Sequence, residues 1–248
     1  MHHSIASDND RATVRRRFYP LIAMVLATFV VIGFSRTYYL RFLSDRPPLH
    51  AILHVHGLVF TAWLALFIAQ TQLIARRRVD LHMKLGVAGA VLAVFVVATG
   101  LVSTLVGAAV PRMTQLGVTT AQATIVPLVS IIPFAILVPA AIAWRRRPSL
   151  HKRLMLLAMI SMLGPPTARL IAMLGGREHA LLLQMGTIAA FVTACLVYDW
   201  RKHRTVHPVF AIGGPVLVLL WPARYVIARS EAWRPIGEWI AEWGRQLG

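Results

Sequence analysis

The chain is poor in acids and nearly without cysteine. Cys195 is its single cysteine, so it forms no intrachain disulfide and carries no Cys-x-x-Cys redox or zinc motif. Nine Asp and Glu stand against 26 Lys and Arg. None of the nine lies in the middle of an apolar run, which argues against proton pumping or cation transport along intramembrane carboxylates. No H-E-x-x-H helix, carboxylate-rich di-iron pattern, glycine-rich phosphate loop or serine nucleophile elbow is present. Ten-residue segments of alternating hydropathy are absent too, which argues against a β-barrel.

What is present is apolar sequence. Hydrophobic residues make up 57% of the 248, and mean hydropathy is +0.65. Seven runs, at 18–40, 51–75, 84–108, 122–144, 152–174, 180–198 and 208–227, each approach the ~20 residues that span a bilayer as a helix. The first is too long for a signal-peptide core and is read as a retained helix. Prolines inside the runs, Pro133, Pro165 and Pro166 among them, are tolerated where neighbouring helices re-satisfy the backbone. The expected fold is all-α: a polytopic bundle of one leading helix and three hairpins. Residues 1–17 form an N-terminal segment, 18–228 the transmembrane domain, and 229–248 a C-terminal helix. In that tail Trp233, Ile236, Ile240, Trp243 and Leu247 recur at helical steps, the pattern of an amphipathic helix on the membrane interface.

The net charge of +17 is not a nucleic-acid footprint, because the bases lie in short clusters between apolar runs with no basic face. The clusters instead segregate by side. Arg11 and Arg15–Arg17, Arg76–Arg78 with Lys84, Arg145–Arg147 with Lys152 and Arg153, and Arg201, Lys202 and Arg204 fall on one side. Only Arg41, Arg46, Arg112 and Arg177 fall in the loops of the other. The positive-inside rule places the N-terminus and the basic turns in the cytoplasm of a bacterial inner membrane. The expected partner is the lipid bilayer, with no nucleic acid.

Two of those turns nearly repeat each other. "RRRVDLHMKLG" (76–86) and "RRRPSLHKRLM" (145–155) lie 69 positions apart and share three arginines and a Leu-His pair. A fainter copy, "RKHRTVHPVF" (201–210), carries His207 six residues after Arg201. Each turn delivers a histidine (His82, His151 or His207) to the start of an odd-numbered span at one depth. A second group, His50, His54, His56 and His179, belongs to the other end.

On the second span His56, Trp63 and Gln70 repeat at sevens on one face, with His54, Thr61 and Gln72 nearly opposite. On the third, His82 aligns with Gly86, Gly89, Ala93 and Gly100, a strip suited to a flat macrocycle or to close helix packing. On the fifth, His151 and Arg169 stand 18 apart, a whole number of turns, so both are expected on one inward stripe. An arginine at that depth calls for an anionic partner.

"HVHGLVFTAWLALFIAQTQLIARRRVDLHMKLG" (54–86), with "LHKRLM" (150–155) and "RTVHPVF" (204–210), resembles an uncharacterised family of bacterial polytopic membrane proteins. That family pairs a His-Gly helix with an Arg-rich LHxxLG turn. More distantly, the histidine layout is similar to di-haem b-type membrane cytochromes. That resemblance implies haem b near each face and electron transfer with quinone or respiratory-chain proteins. His82 with His151 would ligate the inner haem, and His54 or His56 with His179 the outer one near Arg169. The chain departs from the cytochrome pattern in having no histidine on its fourth span. Two other functions stay open. One is a non-catalytic factor assisting respiratory-complex assembly. The other is a three-histidine zinc or copper site of His82, His151 and His207, catalytic through an open position.

Overall fold

The computed structural model describes residues 3–45, 47–111, 113–114 and 117–247, without the side chains of 3–16 and 177. Arg46 and Arg112, and the side chains of Arg11, Arg15, Arg16 and Arg177, lie outside the described residues. The chain forms α1 (His3–Phe34), α2 (Ala51–Ala75), α3 (Val79–Ala109), α4 (Ile125–Ala143), α5 (Pro148–Ser161), α6 (Gly164–Leu174), α7 (Ala180–His203), α8 (Pro208–Arg229) and α9 (Arg234–Gln246). Among the described residues there is no strand, only an isolated bridge between Met113 and Thr119. Seven stretches are long and apolar enough to cross a bilayer, with α5 and α6 together making the fifth. The fold is an all-α seven-span bundle, and the protein is a multi-pass integral membrane protein. In a bilayer core, helices are the solution open to such a chain, because each helix satisfies its own backbone polar groups.

Span five is the axis of the bundle. In its most apolar window 72% of residues are buried, against 17–39% in the other six. It packs against α1, α4, α7 and α8. Leu156, Leu157, Ala158, Met159, Ile160 and Leu163 are fully enclosed there. Around the rim, Leu58, Val87, Val94, Ile136, Ile212, Leu219 and Val226 are exposed. Apolar exposure on that scale is what lipid contact requires.

The axis is not one helix. The chain turns at Met162 and Leu163 before α6 begins at Gly164. Pro165 and Pro166 have no N–H to offer the carbonyls of Ser161 and Met162, so the ladder ends there. The turn leaves room for an aromatic ring. A Cβ built on Gly164 would lie 1.4 Å from Trp221 Cη2.

The C-terminal helix is amphipathic as expected, and its small face docks on protein. Gly237, Ala241 and Gly244 are buried against α3 and the turn Gln122–Thr124. Trp233 anchors the helix start by donating Nε1–H to the Gln122 carbonyl at 2.9 Å. Ile236, Trp239, Trp243 and Leu247 stay exposed, a face suited to the headgroup zone.

Candidate functional site

The repeated turn has a local cause. α2 ends at Arg76 with Arg77 in the left-handed region at φ 61°, and α3 starts after Arg78. The His82 amide then closes the first turn on the Arg78 carbonyl at 3.1 Å. The second copy does the same, with the His151 amide on the Arg147 carbonyl at 3.0 Å. In both, the last arginine caps the helix and the histidine follows four residues later, on the last-formed edge of the first turn.

These two histidines meet. Their ring centroids lie 6.1 Å apart with the planes at 83°. His151 Nδ1 lies 2.8 Å from the Ala141 carbonyl on α4. A carbonyl only accepts, so Nδ1 carries the proton and Nε2 keeps its lone pair. The Gln70 backbone lies beside the His82 ring. Nδ1 of His82 is buried without a partner, as is Oε1 of Gln70. Each imidazole thus presents one unengaged nitrogen, and in His151 the opposite nitrogen is held by a backbone carbonyl. A backbone acceptor of this kind commonly fixes the tautomer of a ligating histidine.

His207 does not join them. Its Nδ1 accepts from the Val209 amide at 3.2 Å and caps α8. A neutral ring that accepts at Nδ1 carries its proton on Nε2 and has no lone pair left for a metal. Among the described residues no three of His, Cys, Asp and Glu come together as a metal-holding group. Burial, aided by the charge of Arg153, holds the His207 pKa below the usual histidine value despite the opposing pull of Asp199.

Beside His207 lies a group that the spacing of motifs did not announce. Arg153 Nε and Nη2 donate to the two Asp199 oxygens at 2.8 and 2.6 Å, and Nη1 donates to the Ser149 hydroxyl and carbonyl. Asp199 also accepts the His207 amide at 3.2 Å. The arginine stacks over Phe210 at 5.7 Å. The pair joins the basic-turn ends of α5, α7 and α8.

The outer histidines disperse. His54 is exposed, with its carbonyl taking the Tyr38 hydroxyl. His179 is exposed on the turn Arg177–His179, 3.7 Å from Glu178. His50 caps α2 through Nδ1. Only His56 faces inward, its Nδ1 3.0 Å from Thr99 Oγ1. Thr99 donates its own hydroxyl to the Phe95 carbonyl, so His56 donates and keeps a lone pair on Nε2. Among the described residues no second histidine meets it, and an outer histidine pair is not assembled.

The stripe expected from His151 to Arg169 does not survive the break in span five, because a count of 100° per residue cannot cross Met162 and Leu163. Arg169 sits on α6, donating Nη1–H to the Pro165 carbonyl at 3.0 Å and lying 4.3 Å over the Phe34 ring. It bears electrostatically on His56. The strip of small residues on α3 serves packing along most of its length: Gly89 faces Leu66, and Gly100 faces Ile131 and His56. Gly86, beside His82, is the open member, its nearest neighbour being Gln70 Nε2 at 4.0 Å. No family model matches the chain, and no curated protein or solved structure is significantly similar to it.

Proposed function

We propose that this is an electron-transfer protein of the bacterial inner membrane, N-terminus in the cytoplasm, holding one b-type haem at its inner end between His82 and His151. The observation that carries the reading is the facing imidazole pair, each ring with one nitrogen unengaged. His82 and His151, with ring centroids 6.1 Å apart, would hold the haem iron through imidazole nitrogen. Haem, when bound, supplies one-electron chemistry at its iron. The chain supplies the rest. The Ala141 carbonyl orients the His151 ring, Gly86 leaves space beside His82, and the basic turns would supply positive charge for an anionic group there. Quinone or respiratory-chain proteins are the partners this reading calls for.

Detergent-purified protein should show a reducible Soret band that His82→Ala and His151→Ala abolish and His207→Ala retains. A colourless wild-type preparation overturns the haem. The dispersed outer histidines favour a second reading, a non-catalytic factor in respiratory-complex assembly, for which a colourless and metal-free protein is the expected result. Orientation rests on the segregation of Lys and Arg. Reporter fusions after Arg78, Arg147 and Lys202 should score cytoplasmic, and a periplasmic score at any of them reverses the topology.

A further inference from the structure

Two arginines are buried to within a few per cent in this bundle. Arg153 has a carboxylate and a serine for its donors. Arg224, on the outer half of α8 and 1% exposed, has neither. Its Nη2 meets Gln184 Oε1 on α7, while Nε and Nη1 are buried with no partner. The guanidinium stacks on Trp221 at 3.7 Å and lies 5.1 Å from the Tyr225 ring. The Tyr225 hydroxyl is buried beside it. No carboxylate of the described residues bears on the charge of Arg224; Tyr225 alone does.

An aromatic face offsets part of a buried cation's cost, but it accepts no in-plane N–H. Two unmet donors around one full charge lack an acceptor that is itself negative. Intramembrane cations are paired as a rule, and among the described residues Arg224 has no anionic partner. We propose that Arg224, with Gln184 and the Tyr225 hydroxyl, seats an oxyanion from outside the polypeptide, a phosphate or carboxylate group.

Position supports this. Arg224 lies five residues short of the end of α8, roughly 7.5 Å below it at 1.5 Å per residue, within reach of the outer headgroup layer. A hollow lined by Tyr225, Val226, Arg229 and Ser230 opens at the membrane face of the same helix end, and Tyr225 belongs to both hollow and seat. The oxyanion has two sources of the same chemistry, the headgroup phosphate of an anionic lipid or a free small anion. No histidine takes part, so this inference stands independently of the haem.

The test uses the full chain in a neutral maltoside detergent at constant ionic strength. Tm is followed while sodium phosphate is titrated against chloride, or phosphatidylglycerol against phosphatidylcholine. Ligand binding to the folded state alone should raise wild-type Tm by about 3 °C or more near saturation, and Arg224→Gln should lose the response. A rise with phosphatidylglycerol only assigns the lipid headgroup; a rise with phosphate assigns the free anion. If neither probe moves the wild type beyond its control, or if Arg224→Gln responds as the wild type does, the proposal is overturned. Should Arg224→Gln fail to fold, Arg224→Lys keeps the charge without the stacked planar head. It is expected to bind at least tenfold more weakly, and equal affinity overturns the proposal.

Discussion

Asp199 on α7 is wholly buried, and both of its oxygens are held by Arg153 on α5. Removing one partner of such a pair leaves the other charge buried alone, at a cost of about 3–5 kcal/mol. Asp199→Asn should therefore lower Tm sharply in detergent. It also weakens the acceptor for the His207 amide. The double change Arg153→Met with Asp199→Leu removes both charges and should recover most of the loss, since well-packed apolar replacements of buried pairs are often neutral. A double variant no more stable than Asp199→Asn would show that the pair stabilises the bundle beyond its own desolvation.

His207 makes the inner end of α8 sensitive to pH. Its Nδ1 is an acceptor to Val209 only while unprotonated. Burial and then Arg153 depress its folded pKa below 6.5, with Lys152 and His203 acting the same way and Asp199 opposing. A depressed pKa means the cap contributes fully above the unfolded value and is lost as pH falls through the folded one. An N-cap is worth about 1 kcal/mol, less here because the ring is only half-buried. Asn caps at every pH. The stability of wild type relative to His207→Asn should thus fall between pH 8 and pH 5, and a constant difference would remove the cap from the account.

Gly164 gives the kink in span five its tightest contact. A methyl group there meets Trp221 at 1.4 Å, and Arg224 stacks on the same ring. Overpacking of this kind costs about 1–3 kcal/mol. Gly164→Ala should lower Tm and shift the tryptophan emission. Gly107→Ala, with nothing within 4 Å, should be neutral or stabilise by up to about 1 kcal/mol. Equal effects at the two sites would mean that Trp221 moves aside freely.

The spans were legible because lipid demands long apolar runs; the second, 51–75, is the same in sequence and structure. α3 and α5 begin earlier than hydropathy indicates, at Val79 and Pro148, because the charged first turns around Asp80 and Lys152 are helical. That the repeat sets His82 and His151 at one depth could be read from spacing. That they face each other could not, since rotation about the helix axis is fixed by packing. Pro165 and Pro166 were visible, but proline is tolerated in many spans, and only the loss of two successive donors ends this one. Arg153 and Asp199 lie 46 positions apart, and Arg153 is hidden in a run of bases. Arg224 stood as openly in the seventh run as Arg169 in the fifth. Which of them would find a backbone carbonyl depended on the kink that gives Arg169 its Pro165.

α9 is held by backbone proximity rather than by side-chain bulk. A Cβ on Gly244 would lie 2.0 Å from the Leu105 carbonyl, and one on Gly237 2.5 Å from the Ala121 carbonyl. Backbone cannot yield as a flexible side chain can, so Gly244→Val should undock the helix rather than distort it. The bundle does not depend on α9 for its core, whose members all lie in α1 to α8. The seven spans should accordingly survive the substitution with little change in Tm. The released segment carries Arg245, and Arg229 precedes it, whereas Arg234 is followed by Pro235 and is not cut by trypsin. Trypsin should therefore trim the C-terminus of Gly244→Val at least several-fold faster than that of wild type. A rate equal to wild type would mean that the exposed Trp239 and Trp243 hold the helix to the detergent or lipid surface without help from its glycine face.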